Sequence, residues 1–190
     1  MLNKDEIFLR LVQFVSKTYL NFSDLNAFRV AAVLIIIHFN HKIPHILLTK
    51  RSSTLKIHAC EISFPGGTYN EVDKSLCNTA IRETREEIGI NFTYEDLIGK
   101  LSTVYTLTSD YAIVPFITIQ QEISNPQILS EEVEKIIDVP LFEILETIKE
   151  DAEHWQLYVG GAYKFGYQNE VIWGATARIL KQLYDFLVTK

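Results

Sequence analysis

The segment running from Gly66 to Ile90, GGTYNEVDKSLCNTAIRETREEIGI, constrains this chain more than any other. A Gly-Gly turn leads into a stretch of helical periodicity that carries Glu83, Glu86 and Glu87. At 100° per residue, with Glu83 as origin, Glu87 stands at about +40° and Glu86 at about −60°. The three carboxylates therefore share an arc of about 100°, while Cys77, Ile81, Thr84 and Ile88 gather on a mostly apolar packing stripe. Hard divalent cations seek such oxygen clusters, above all beside a phosphate. The ordinary alternative is a solvated face, with Arg82 and Glu86 paired at i,i+4 and worth a few tenths of a kcal/mol. The Gly-Gly before the helix and Gly89-Ile90 after it favour a built site over that alternative.

Composition narrows the setting. At 190 residues, with 47% apolar and 22% charged residues, the chain suits one ordinary globular domain spanning 1–190. A net charge of −6 argues against nucleic acid as a partner and makes an anionic substrate dependent on bound cations and local Arg or Lys. The two cysteines, Cys60 and Cys77, form no metal-like spacing and read as free thiols of a reducing compartment. The longest apolar run, Val30 to Phe39, is too short to span a bilayer, and the first ten residues show no signal pattern. The expected location is the cytoplasm, with no membrane partner.

Periodicity predicts an N-terminal amphipathic helix over residues 5–20 and a buried strand from Phe28 to Phe39. A turn at 40–42 leads to a partner strand from Pro44 to Lys50, and a polar connection runs from Arg51 to Phe64. The acidic helix is expected from about Asp73 to Ile88, with Asp73 or Ser75 at its N-cap and Gly89 at its C-terminus. Further strands are expected at 97–106 and 112–120, with 131–139 open between strand and helix. Pro140 should open a short helix, a hairpin should turn at Gly160-Gly161, and a last helix should cover 174–188. Strands and helices mix without regular βαβ alternation, which fits an α/β (α+β) domain with a mixed sheet.

The glycine–helix segment resembles the Nudix box, G-x5-E-x7-R-E-U-x-E-E-x-G-U with U apolar. Thr84 stands at one U position, and Arg82 lies fifteen residues after Gly67, one more than the general pattern. Asp73 fills the acidic position before the helix one place early, which suggests an N-cap over a metal ligand. The resemblance spans residues 67–90 and implies the Nudix α/β/α sandwich. A second stretch, LLTKRSSTLKIHACEISFPGG from Leu47 to Gly67, is similar to the coenzyme A pyrophosphatase signature L-L-T-x-R-S-x3-R-x3-G-x3-F-P-G-G. The segment from Ile172 to Leu180 also looks like one typical of that group. Here Lys56 replaces the second basic residue and Cys60 the glycine, which matters if that backbone requires φ > 0.

That resemblance implies hydrolysis of the diphosphate of coenzyme A, or of acyl-CoA, a small-molecule substrate. By similarity Glu83, Glu86, Glu87 and the Gly66 carbonyl hold Mg²⁺ or Mn²⁺, and Arg82 orients a box glutamate. Arg51, Lys56, Glu61, Phe64 and Gly67 would line the substrate, and Glu132 is a candidate further ligand or base. Two anions about 4 Å apart repel by about 4 kcal/mol at an effective dielectric near 20, so glutamates beside a diphosphate require metal. The alternatives are another nucleoside diphosphate derivative, such as ADP-ribose or a dinucleoside polyphosphate, and a silent Nudix-fold sensor. A sensor would be expected to lose box glutamates, and this chain keeps all three. Self-association into a homodimer is a further option. The histidines show no ligand spacing, and Trp173 reads as core.

Overall fold

Strand β1, Arg29–Asn40, shows why this fold has layers on both faces of its sheet. Its alternate residues Ile35, Ile37 and Phe39 enter one apolar core, while Ala32, Leu34 and Ile36 enter another. A strand buried on both faces reads as a continuous apolar run, and β-branched residues suit it. The computed structural model describes residues 2–16, 28–106, 109–158 and 161–189.

β2, Ile43–Arg51, returns antiparallel to β1 after a tight turn in which His41 and Lys42 take positive φ. The short strands β3, Ile62–Ser63, and β4, Gly66–Thr68, pair with β2 and β1. After helix α2, Leu76–Ile88, come β5, Leu97–Lys100, β6, Val104–Tyr105, and β7, Tyr111–Ile119. β7 lies parallel to β1 through nine paired positions, and β5 and β6 run antiparallel to β7. β8, Val133–Pro140, joins the free edge of β2, so the sheet is mixed, with order β3-β2-β1-β7-β5 along its main path.

Helix α1, Lys4–Val12, packs with α3, Leu141–Glu146, and α4, Gly174–Leu187, on the core containing Ile35 and Ile37. Helix α2 covers the opposite face through Leu76, Ala80 and Ile88. A small antiparallel sheet of β9, Lys149–Glu150, β10, Tyr163–Tyr167, and β11, Glu170–Ile172, stands beside α4. The α/β/α sandwich with a mixed sheet is therefore the architecture of this chain.

Four expectations are changed or decided. The first helix stops at Val12 rather than running to 20, and Ser16 bridges to Lys100 in extended form; residues 17–20 lie outside the described ones. The ambiguous 131–139 stretch is a strand because β2 offers it a whole edge. The late hairpin joins β10 to β11 through Gln168 at positive φ, whereas His154 to Leu157 forms a turn and a short 3₁₀ helix, and Gly160 lies outside the described residues. Trp173, expected in the core, is 49% exposed at the N-cap of α4, where its ring stacks on His154.

Candidate active site

Two glycines bring the backbone up against the acidic helix. Gly66 has φ +152° and a Cβ there would meet the Ala32 carbonyl at 2.3 Å, so only glycine fits. A Cβ on Gly67 would lie 2.5 Å from the Glu83 carboxyl carbon, so that carboxylate rests on bare backbone. From the same turn the Gly66 N–H donates to Glu87 Oε2 at 3.2 Å.

Ser75, not Asp73, caps α2, accepting from the Asn78 N–H. Asp73 instead ends a 3₁₀ turn, Glu71–Asp73, and Lys74 follows at φ +62°. This left-handed residue takes up the extra residue of the loop and leaves the helix register intact. Asp73 is 7% exposed and accepts from Arg82 Nε at 2.7 Å and Arg82 Nη2 at 2.9 Å, with Thr79 Oγ1 donating at 2.9 Å. The Arg82 bonds hold the Asp73 carboxyl below the usual range, against its burial. Arg82 Nη1 reaches Glu83 at 2.8 Å and Glu86 at 2.9 Å. The arginine thus orients two box glutamates, and a buried carboxylate orients the arginine. Asp73 in that part was missed; its place nine residues before Arg82 was the available signal.

The glutamates differ in setting. Glu86 is half-exposed, Glu83 is partly covered and Glu87 is buried. Burial pushes the Glu87 carboxyl up to about 8, opposed by the Gly66 N–H and reinforced by the charge of Glu83. Burial likewise raises Glu83, with Arg82 acting against it. Acids this costly to ionise are suited to a site where a cation supplies the missing positive charge. Thr84, at the apolar box position, is fully buried and satisfied by donating to the Ala80 carbonyl at 2.7 Å.

The structure brings Arg51 and Glu132 to the same place. A bulge between Lys50 and Arg51 in the β2–β8 pairing puts Ser52 N–H on the Glu132 carbonyl at 2.8 Å. Arg51 Nη2 then lies 3.4 Å from Glu132 Oε2, and both charges act on Glu87. Among the described residues Arg51 Nε is the buried side-chain polar atom with no hydrogen-bond partner.

The other substrate candidates are less convergent. Lys56 is exposed and has no ion-pair partner among the described residues. Glu61 accepts from the His58 ring at 3.0 Å at the base of the same loop. Phe64 does not face the site: at 2% exposure it belongs, from the link between β3 and β4, to the core with Ile35 and Leu48, on the sheet face opposite α2. Cys60 has φ +61°, so the replaced glycine position does demand left-handed backbone. Lys50, unremarked in the sequence, is held by Glu170 at 2.6 Å and is occupied elsewhere.

A glycine turn set against an acidic helix, on one face of a mixed-sheet sandwich, defines a Nudix-type fold and site. The NUDIX domain family model matches residues 27–159, and the chain belongs to that family. The Nudix hydrolase NudL of Photorhabdus laumondii is 34% identical over 163 residues, covering 82% of this chain and 83% of its own. NudL of Yersinia enterocolitica is 33% identical over 158 residues, covering 80% and 78%. Among solved structures, a NUDIX hydrolase from Alicyclobacillus acidocaldarius aligns at TM-score 0.59 and 17% identity, over 82% of this chain and 90% of that one. A MutT/nudix family protein from Enterococcus faecalis aligns at TM-score 0.62 and 13% identity, over 98% and 70%. These last two show the shared fold. The protein is a Nudix pyrophosphohydrolase, an enzyme of a family that generally uses divalent metals.

Proposed function

We propose that the enzyme hydrolyses the diphosphate bond of coenzyme A or acyl-CoA, giving 3′,5′-ADP and (acyl-)4′-phosphopantetheine. The observation that carries this reading is Arg51. It stands in the L-L-T-x-R-S stretch, its Nε is buried without a partner, and its charge is felt by Glu87. An unspent guanidinium donor beside a metal-type carboxylate suits a phosphate oxygen of the substrate. The left-handed backbone at Cys60 supports the reading too, since the loop keeps the conformation for which the related pattern uses glycine.

The donor set fits Mg²⁺ or Mn²⁺. Glu83, Glu86, Glu87 and the Gly66 carbonyl are hard oxygen ligands, and the bare backbone at Gly67 leaves room for the Glu83 carboxylate. When bound, the ions supply neutralisation of the diphosphate and activation of water. The chain's own residues do the rest. Asp73 fixes Arg82, Arg82 fixes Glu83 and Glu86, and Gly66 N–H fixes Glu87. Glu132, paired with Arg51, would hold a proton or a further ion at the substrate side, a role its ion pair supports. The unpaired thiols Cys60 and Cys77 are consistent with work in a reducing cytoplasm.

A product assay by mass spectrometry tests the substrate, with coenzyme A, ADP-ribose and diadenosine polyphosphates run in parallel under Mg²⁺ and Mn²⁺. Preferred release of 3′,5′-ADP is expected. The second reading, another nucleoside diphosphate derivative, draws on Lys56, which offers a single exposed ammonium where a bidentate fork would grip a phosphate. Turnover of ADP-ribose without cleavage of coenzyme A would establish it.

A further inference from the structure

Three side chains far apart in sequence meet on the sheet away from the box. His38 on β1 stands directly opposite His45 on β2, and Asp138 lies on β8, the next strand over. His38 Nε2 and His45 Nδ1 each lie 2.9 Å from Asp138 Oδ1. The three ligand atoms all fall within 4.8 Å of one another. His38 is 6% exposed, the His45 side chain 12% and the Asp138 side chain 38%, so the cluster is walled by the sheet and open on one side. Gly66 pairs with Val33, five residues before His38, which separates the two places by about 16 Å at ~3.3 Å per strand residue.

We propose that His38, His45 and Asp138 form a second metal site, taking one transition-metal ion of borderline softness such as Zn²⁺. Two imidazoles and a carboxylate are the ligand set of such ions, whereas Mg²⁺ and Mn²⁺ prefer the oxygen cluster of the box. Metal–ligand bonds of about 2.0–2.1 Å give ligand–ligand edges of about 2.9 Å in an octahedron and 3.3–3.4 Å in a tetrahedron. The two nitrogen–oxygen spacings of 2.9 Å match an octahedral edge, and the third spacing is within 4.8 Å. Strand register fixes the three positions, so the site is assembled by folding. The exposed side of Asp138 leaves a position for water. The other acid–histidine group, Asp151, Glu153 and His154, offers one imidazole and an exposed Glu153, a poorer set.

The test is calorimetric titration of the full chain with Zn²⁺ in excess Mg²⁺, which occupies the box. One Zn²⁺ per chain is expected, with affinity falling more than about 100-fold in His45→Gln and in Asp138→Asn, beyond the loss of an outer-shell partner. His154→Gln should leave the affinity unchanged. X-ray absorption at the zinc edge of the wild-type complex should show two imidazoles, and it decides the matter if a variant fails to fold. Equal binding in His45→Gln and wild type, no binding in Mg²⁺, or an edge spectrum without paired imidazoles would each overturn the proposal. Because Zn²⁺ binding is read without turnover, failure here leaves the coenzyme A reading untouched, and the product assay leaves this one untouched.

Discussion

The box site and the histidine cluster lie toward the same face of one sheet, yet they are built in opposite ways. Most of the box comes from one contiguous segment: a glycine turn, a 3₁₀ turn and a helix, with the central contacts spanning Gly66 to Glu87. Glu83 and Glu87 are costly to ionise where they sit, and the segment holds its glutamates there with Asp73, Arg82 and a backbone N–H. His38, His45 and Asp138 come from three strands, with His38 and Asp138 a hundred residues apart, and satisfy each other by hydrogen bonds. The first is a site under electrostatic tension; the second is relaxed. That difference shows that local sequence can encode a strained carboxylate cluster, because the strain is offset by partners within the same segment.

Substitutions can break the comparison in order of effect. Glu87→Gln should lower turnover more than about 10²-fold, the scale of losing one electrostatic group at a reacting centre, with the circular dichroism spectrum unchanged. Steady-state kinetics with Mg²⁺ checks it, and a near-normal rate would remove Glu87 from the metal set. Asp73→Asn should cost about 10- to 100-fold in metal affinity, as expected for a partner behind the ligands. It should also destabilise the fold by about 3 kcal/mol, since Arg82 loses its buried counter-charge; denaturant unfolding reads the second effect separately.

The electrostatic tension has a pH signature. The Glu87 pKa is raised on folding, so the folded state holds a proton that the unfolded chain gives up. Stability from this group is complete below the ordinary glutamate value of 4.5 and is lost as pH rises toward about 8. Metal-free wild type should therefore lose stability across that window relative to Glu87→Gln. Parallel curves in chelator would show that Glu87 is not held neutral. The smallest effect is expected at Cys60→Gly, which removes a left-handed non-glycine residue and should stabilise by about 1 kcal/mol, a melting shift of a few degrees. A lower melting temperature would mean that Cys60 contributes contacts worth more than its strain.

The box and its helix were legible because their information is periodic and local. The arc of Glu83, Glu86 and Glu87, the C-terminal Gly89 and the double-faced apolar strand β1 all follow from residue spacing. What Asp73 does was not legible, because spacing alone could not tell an N-cap from the partner of an arginine nine residues further on. The burial of Phe64 was not legible for a related reason: a motif position says which residue is present, not which core it enters.

By itself, then, the sequence determined the layered mixed fold, the acidic helix and the family to which the chain belongs. Those depend on periodicities of a few residues and on a glycine turn that no other residue can replace. Tertiary structure alone decided the union of Arg51 with Glu132, the elevation of Glu87 and the meeting of His38, His45 and Asp138. These arise from strand register and burial. Both are properties of the whole sheet, because each strand's neighbours are set by the packing of layers rather than by its own residues.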